Sequence, residues 1–231
     1  MSPMARCGDD NLAHGSRPAS ARPYGLVAFD FDGTLADSFP WFCGVLNDVA
    51  ARYRFRGVAE ADLHTMRGMD ARAIVRHLGI PAWKLPFVSR HMKALAVRDR
   101  ADIGLFPGIA PMLRTLAGAG IPLAVVSSNG EGTIRTVLGP ELAETIRYFA
   151  CGASLFGKAK RLAETVRRAG EPGTATLYVG DEIRDHEAAT AAGCDFAAVS
   201  WGYTRADTLE ARHPAFVFTK PTDIPAAVIP H

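Results

Sequence analysis

The sequence has little cysteine and no long run of apolar residues. Its four cysteines lie far apart and show neither metal-ligand nor disulfide spacing (Cys7, Cys43, Cys151 and Cys194). Unpaired thiols are typical of a reducing compartment, so we expect the protein to be cytoplasmic. No apolar run approaches the ~20 residues that a membrane-spanning helix needs, and we therefore expect no membrane partner.

A surplus of charge of one sign is also lacking. The 26 Lys and Arg residues nearly balance the 24 Asp and Glu residues, and the net charge is +2. The arginines are scattered along the chain, which argues against a nucleic-acid-binding surface. An apolar content of 48% is ordinary for a globular protein, so the 231 residues can form one large domain or one domain with an insertion.

Residues 1–23 contain almost no bulky apolar side chain and are rich in Gly, Ser, Pro, Arg and Ala. We predict a disordered N-terminal tail there, because such a segment has too little apolar surface to bury. The segment also lacks the apolar stretch of a secretory signal.

Three short apolar runs end abruptly at carboxylate, hydroxyl or amide side chains. The runs are residues 26–29 before Asp30 and Asp32, residues 123–126 before Ser127 and Asn129, and residues 177–180 before Asp181 and Asp185. Such runs predict buried parallel strands, and open α/β sheets bind ligands at the carboxyl ends of their strands. If the three strands are neighbours, four carboxylates converge on one crevice, where a divalent cation would have to offset their charge.

Strand and helix patterns alternate along most of the chain and predict an α/β fold. In the second half of the chain they continue to an edge strand at 215–218, which indicates a Rossmann-like parallel sheet with helices on both faces. Residues 38–103 show only helical periodicity, with Asp70 as the cap of one helix. We therefore predict an α/β core at 24–37 and 104–231 with a helical insertion at 38–103.

Asp30 and Asp32 are two residues apart, so their side chains leave the same face of an extended chain. Gly33 then permits a sharp turn. One carboxylate can attack phosphorus as a nucleophile while the other handles the proton of the leaving oxygen. The short pattern alone leaves open the alternative of a solvated Asp-Gly turn after a strand.

Asp181 and Asp185 follow a strand and open a helix. Carboxylates in such a position can hold Mg²⁺, which prefers oxygen ligands. The alternative is that Asp181 caps the helix and Asp185 is a first-turn acid that the helix dipole favours.

Ser127 and Asn129 lie where a strand ends before Gly130. A hydroxyl and nearby backbone N–H groups at such a place can hold phosphoryl oxygens, or they can belong to an ordinary loop. Lys158 can bring positive charge to the same crevice or be a solvated first-turn lysine, and the nearby Lys160 leaves the choice of lysine open.

In their order along the chain, these patterns resemble the four motifs of phosphatases of the haloacid dehalogenase (HAD) superfamily. The matching stretches are DFDGTLADS at 30–38, LFPG at 105–108 with VVSSN at 125–129, Gly157-Lys158, and GDEIRD at 180–185. The likeness spans residues 24–225. The helical insertion lies where phosphoglycolate phosphatase-like members place a cap, so the resemblance implies an α-helical cap domain at 38–103.

The resemblance implies a role for each acidic residue of the motifs. Asp30 would be the nucleophile and a Mg²⁺ ligand. Asp32 would be the general acid and base, and would also bind Mg²⁺ through its backbone carbonyl. Asp181 would complete the metal site, while Asp185 would belong to it by orienting Lys158 or the water ligands of the metal.

The resemblance also implies the groups that hold the phosphate ester. Ser127 and Lys158 would act in catalysis by stabilising the transferring phosphoryl group, with Ser128 or Asn129 beside them as substrate-binding residues. Arg67, in the insertion, is a candidate anchor for the far end of a substrate.

The function that the resemblance implies is a Mg²⁺-dependent phosphatase that hydrolyses a small phosphorylated metabolite through an aspartyl-phosphate. A phosphomutase on the same scaffold is one alternative, since nothing in residues 38–103 decides between water and a sugar hydroxyl as the acceptor. A non-catalytic phospholigand-binding protein is the other, although such a protein has no physical reason to keep four mutually repelling carboxylates. We predict neither a particular ester nor an oligomeric state.

Overall fold

The computed structural model describes residues 24–152 and 157–229. The predicted tail at 1–23 lies outside the described residues. The strands are β1 Leu26–Phe29, β2 Ala36–Asp37, β3 Gly104–Leu105, β4 Leu123–Val126, β5 Tyr148–Ala150, β6 Thr176–Gly180, β7 Asp195–Val199 and β8 Phe216–Phe218. The helices are α1 Phe39–Tyr53, α2 Glu60–Met66, α3 Ala71–His77, α4 Leu85–Arg98, α5 Ile109–Gly118, α6 Glu131–Thr145, α7 Lys158–Ala169, α8 Ile183–Ala192, α9 Ala206–Glu210 and α10 Asp223–Val228.

Six strands form one parallel sheet in the order β5-β4-β1-β6-β7-β8, so the predicted α/β fold is confirmed. β1 lies between β4 and β6, and Phe29 pairs with Val125 on one side and with Val179 on the other. The polar residues that follow these three strands therefore start from the same edge of the sheet. β8 is an outermost strand of the sheet, as its sequence predicts.

The central strands β1, β4 and β6 are buried along their whole length and, apart from Thr176 and Gly180, consist of apolar or aromatic residues, because both faces of the sheet are covered. Val27, Phe29 and Val125 pack into one apolar cluster with α5 and α6. Ala28 and Tyr178 point the other way, into a second cluster with α7 and α8. This alternation explains why the strand sequences are continuous apolar runs.

The helical segment, residues 39–102, leaves and rejoins the sheet layer at one place. It contains α1 to α4, and the antiparallel pair of β2 and β3 closes its base, with Ala36 opposite Leu105. Asp70 caps α3 by accepting a hydrogen bond from the backbone N of Ala73 at 2.7 Å, as predicted. Among the residues that the structure describes, no helix has both the length and the apolar character needed to cross a membrane.

The sequence did not predict α9 and α10, whose five and six residues show too few turns for a periodicity to emerge. Helix α2, with seven residues, lies in the predicted helical insertion but was not predicted as a separate helix. Helix α6 has a break at Gly139, whose φ of 74° interrupts the helical geometry directly before Pro140.

Replacing Val27 by Ala should lower the free energy of unfolding by about 2 kcal/mol, because Val27 is fully buried in the central strand and its loss leaves a cavity. The matched control is Val97→Ala on α4, where the side chain is 48% exposed and the change should stay within about 0.5 kcal/mol. Urea unfolding of the two variants measures the difference. Equal losses would contradict the assignment of the core.

Candidate active site

Carboxylates from two neighbouring strands and one helix meet at the carboxyl edge of the sheet. Asp30 follows β1, Asp181 follows β6, and Asp185 reaches back from the first turn of α8. All three are buried, and one oxygen of each lies within 4.8 Å of the others. Three ionised carboxylates at this separation would repel one another strongly, so the site requires positive charge.

Lys158 supplies one positive charge from the first turn of α7. Its Nζ lies 2.8 Å from Oδ2 of Asp30 and 2.6 Å from Oδ1 of Asp185. Lys158 is buried, whereas Lys160 is exposed. The alternative of a solvated first-turn lysine therefore describes Lys160, and Lys158 is the lysine that lies in the site.

Asp185 is held by donors on both of its oxygens. Oδ2 accepts hydrogen bonds from the backbone N of Asp181 at 3.2 Å and of Glu182 at 3.0 Å, while Oδ1 faces Lys158 and accepts a hydrogen bond from the Tyr178 hydroxyl at 3.3 Å. Glu182 is the N-cap of α8 and forms a capping box with Asp185. The alternative in which Asp181 caps this helix is therefore wrong. Direct metal binding by Asp185 stays a prediction.

Asp181 is held from two sides by donors that are distant in the sequence. Its Oδ1 accepts a hydrogen bond from the Thr34 hydroxyl at 2.7 Å, and its Oδ2 accepts one from the backbone N of Tyr203 at 2.8 Å. Two glycines let the backbone come this close. A Cβ at Gly33 would lie 2.2 Å from Oδ2 of Asp181, and a Cβ at Gly202 would lie 2.2 Å from the Cβ of Asp181.

Asp32 is partly exposed and lies outside the cluster of three carboxylates. Its Oδ2 accepts a hydrogen bond from Nδ2 of Asn129 at 2.8 Å. The backbone N of Asn129 in turn donates to Oγ of Ser127, which is buried, at 3.1 Å. Ser128, between them, is partly exposed. The loops after β1 and β4 are thus joined, as the strand order requires.

The pKa values of three acids in the site are raised, and burial is the largest cause in each case. It raises the pKa of Asp30 to about 7, against the opposing charge of Lys158 and with a further increase from Asp185. Burial raises the pKa of Asp181 well above its usual value. The partial burial of Asp32 also raises the pKa of that carboxyl, although a hydrogen bond from Ser38 acts in the opposite direction. Burial alone would lower the pKa of Lys158, but the charges of Asp185 and Asp30 outweigh it and raise that pKa.

Four residues of the site were missed by reasoning from the sequence. Thr34 and Tyr203 hold Asp181. Thr34 lies within the DFDGTLADS stretch but had no role assigned to it, and no local pattern marks Tyr203. Glu182 and Arg184 form an ion pair at the start of α8, with Nη2 of Arg184 3.0 Å from Oε1 of Glu182. The positive charge of Arg184 also lowers the pKa of Asp30. An Arg two residues after a Glu in an acidic turn is the only sequence signal that this pair offers.

Arg67, the predicted substrate anchor, binds backbone groups in this structure. Its Nε donates to the carbonyl of Tyr203 and its Nη2 to the carbonyl of Gly202, both at 2.8 Å. Contact of Arg67 with a substrate stays a prediction.

The donor set fits a hard divalent cation. Asp30, Asp181 and Asp185 offer carboxylate oxygens and no sulfur or imidazole nitrogen, a set that suits Mg²⁺, Ca²⁺ or Mn²⁺. Lys158 alone leaves the three carboxylates with excess negative charge if all are ionised. The cluster can therefore hold a metal ion.

Comparison with known proteins identifies the family. The family model described as haloacid dehalogenase-like hydrolase matches residues 27–199. The chain belongs to this family. The resemblance inferred from the four motifs is confirmed, and with it the enzyme class, a phosphatase.

Proteins with different names are similar to this chain. A phosphoglycolate phosphatase of Synechococcus elongatus is 32% identical over 203 residues, which are 87% of this chain and 96% of that protein. The tyrosine-protein kinase PtkA of Mycobacterium tuberculosis is 33% identical over 194 residues, which are 80% of this chain and 65% of that protein. A solved haloacid dehalogenase-like hydrolase of Streptococcus pneumoniae has a TM-score of 0.73 at 17% identity, covering 88% of this chain and 97% of its own. That last likeness supports the fold alone.

Replacing Lys158 by Met should destabilise the metal-free protein by roughly 3 kcal/mol or more, because two buried carboxylates then lose the cation that they share. The measurement is urea unfolding with EDTA at mildly alkaline pH. Lys160→Met is the matched control and should change the free energy of unfolding by less than about 0.5 kcal/mol. Equal effects of the two substitutions would contradict the role of Lys158 as the buried counter-ion.

The free energy of unfolding of the metal-free protein should fall as the pH rises from about 4 to about 7. The pKa of Asp30 is about 7 in the folded protein, against 3.8 for an unperturbed Asp, so in this window the folded state retains a proton that the unfolded chain has released. Proton loss therefore favours the unfolded state. Urea unfolding at several pH values in EDTA measures the slope.

The control for this pH dependence is Asp30→Asn, which has no titrating group at position 30 and should show a smaller slope. A slope that is the same in both proteins would contradict the assignment to Asp30.

Proposed function

We propose that the protein is a Mg²⁺-dependent phosphatase that hydrolyses a small phosphomonoester through an aspartyl-phosphate on Asp30. The single observation that carries this proposal is the buried cluster in which Lys158 bridges Asp30 and Asp185 beside Asp181. A cluster of this composition is suited to bind a phosphoryl group and a cation together. Membership of a hydrolase family supports the same reaction.

In the first step, a carboxylate oxygen of Asp30 attacks phosphorus and forms the aspartyl-phosphate, while the bond between phosphorus and the ester oxygen breaks. Asp32 donates a proton to the leaving oxygen. The raised pKa of Asp32 suits this role, because more of the carboxyl is protonated near neutral pH. Lys158, 2.8 Å from Asp30, reduces the repulsion between the carboxylate and the incoming phosphate.

In the second step, Asp32, now ionised, takes a proton from a water molecule whose oxygen attacks phosphorus. The bond between phosphorus and Asp30 breaks, inorganic phosphate leaves, and both carboxyl groups return to their starting states. Asn129 holds Asp32 from the neighbouring loop at 2.8 Å, which restricts the directions from which this proton is taken. Ser127 and Ser128 lie on the same loop as Asn129 and would donate hydrogen bonds to the phosphoryl oxygens.

Asp30 and Asp181, with the backbone carbonyl of Asp32, would hold Mg²⁺, and Asp185 would order its surroundings. When bound, the cation would offset the negative charge of the phosphate and of the carboxylates. Asp30 and Asp181 each keep lone pairs that their hydrogen-bond donors do not occupy, so the present contacts leave room for this interaction.

The helical segment is proposed to act as a cap that covers the crevice and limits the entry of water. Its contact with the core through Arg67 supports this arrangement. 2-Phosphoglycolate is the first substrate to test, because similar proteins of Synechococcus elongatus and Caulobacter vibrioides carry the name phosphoglycolate phosphatase.

The test is the release of inorganic phosphate from a panel of phosphorylated metabolites that includes 2-phosphoglycolate. Wild-type protein with Mg²⁺ should turn over at least one ester, and EDTA should abolish the reaction. Asp30→Asn should lower the rate by about three orders of magnitude or more, because the amide is no nucleophile.

Asp37→Asn is the matched control, since Asp37 is an exposed carboxylate on β2, and its rate should equal that of the wild type. A folded, magnesium-loaded wild type that releases phosphate from no ester of the panel would refute the proposal. Isomerised hexose phosphate appearing without free phosphate would favour a mutase instead.

A further inference from the structure

Arg67 ties the helical segment to a loop of the core. It directly follows α2, and its guanidinium donates to the carbonyl oxygens of Gly202 and Tyr203 at 2.8 Å each. The backbone N of Arg205 donates in return to the carbonyl of Arg67 at 2.9 Å. Three hydrogen bonds thus join one residue of the segment to residues 202–205, which we call the latch loop.

The latch loop packs directly on Asp181. The backbone N of Tyr203 donates to Oδ2 of Asp181, and the backbone N of Thr204 donates to the carbonyl of Asp181 at 3.3 Å. A Cβ at Gly202 would lie 2.2 Å from the Cβ and 2.6 Å from Oδ2 of Asp181, so only glycine at this position allows the loop to pack against the Asp181 side chain as it does. Because packing is this tight, a displacement of the loop must also displace the carboxylate or break its hydrogen bond.

A second contact joins the same loop to the start of the helical segment. The ring of Tyr203 lies edge-on to the ring of Phe39 in α1, with 5.0 Å between centroids, and its hydroxyl lies 2.9 Å from Oγ of Ser38. The guanidinium carbon of Arg67 lies 5.4 Å from the centroid of the Phe39 ring. Tyr203 is therefore held by the segment at both its backbone and its side chain.

We propose that Arg67 is a positioning residue for Asp181. Through the latch loop, it fixes the carboxylate in its metal-binding orientation when the helical segment lies against the core. Coupling of this kind is reciprocal, so a cation bound at Asp181 would in turn favour the closed position of the segment. The inference rests on the proposed function only in taking Asp181 as a metal-binding residue.

The positioning role differs from that of a substrate anchor in what it predicts. A residue that only anchors the substrate changes the KM and has no effect on the protein before substrate is added. A residue that positions Asp181 changes the affinity for the metal in the absence of any substrate. The two roles of Arg67 are therefore separable by a binding measurement.

The experiment compares Arg67→Ala with wild type and with Arg76→Ala, an exposed arginine on α3 that serves as the matched control. Isothermal titration with MgCl₂ in the absence of substrate gives the affinity, and hydrogen–deuterium exchange follows the amides of residues 202–205. Arg67→Ala should weaken Mg²⁺ binding by about fivefold or more and speed the exchange of the Tyr203 amide. Arg76→Ala should leave both unchanged.

Arg67→Lys is a second variant in case the alanine variant misfolds. Lysine keeps the charge near Phe39 but lacks the paired donors of the guanidinium, so Mg²⁺ binding should again weaken, to a smaller extent. Equal Mg²⁺ affinity in the wild type and both Arg67 variants overturns the proposal, whatever the activity does.

A wild type that binds no Mg²⁺ would refute the proposed function, and the exchange data would then decide the latch alone. Faster exchange of the Tyr203 amide in Arg67→Ala would support the latch, and unchanged exchange would overturn it.

Discussion

The ammonium of Lys158 between Asp30 and Asp185 is the interaction on which the site depends. Removing a carboxylate from water costs several kcal/mol, and three of them buried together repel one another as well. One lysine at 2.8 and 2.6 Å offsets part of that cost and leaves the rest for a cation or for protons. Burial raises the pKa of Asp30 to about 7 in spite of the charge of Lys158, so the compensation by lysine alone is incomplete.

Glycines make this density of charge sterically possible. A Cβ at Gly180 would lie 2.6 Å from the side chain of Asp185, and Gly33 and Gly202 leave equally little room beside Asp181. The backbone can therefore bring its N–H groups to the carboxylates from two directions. Hydrogen bonds to charged groups are stronger than those between neutral groups, so these donors help to hold the acids in place. The glycines are as much a part of the site as the acids.

The sequence predicted the fold and the residues at the strand ends because both follow from local pattern. Asp30 and Asp181 end buried strands, and parallel strands bring such residues to one edge whatever their separation in the chain. The contacts of Thr34 and Tyr203 with Asp181 were not predicted, because they span 147 and 22 residues and the spacing of residues in the sequence does not reveal them. The choice between Lys158 and Lys160 needed burial, since two positions differing by half a helical turn look alike in sequence but face different surroundings.

The two oxygens of Asp181 are held by two different parts of the chain, of which only one is in contact with the helical segment. Thr34 belongs to the turn after β1 and donates to Oδ1 at 2.7 Å, so this bond is independent of the helical segment. The bond from Tyr203 to Oδ2 involves the loop that Arg67 contacts. Because each carboxylate oxygen has two lone pairs, these donors orient the group and still leave acceptor capacity for a cation. Movement of the segment would therefore alter the contact to one oxygen of Asp181 and leave the contact to the other in place, so the proposed metal site would change in geometry without losing this carboxylate.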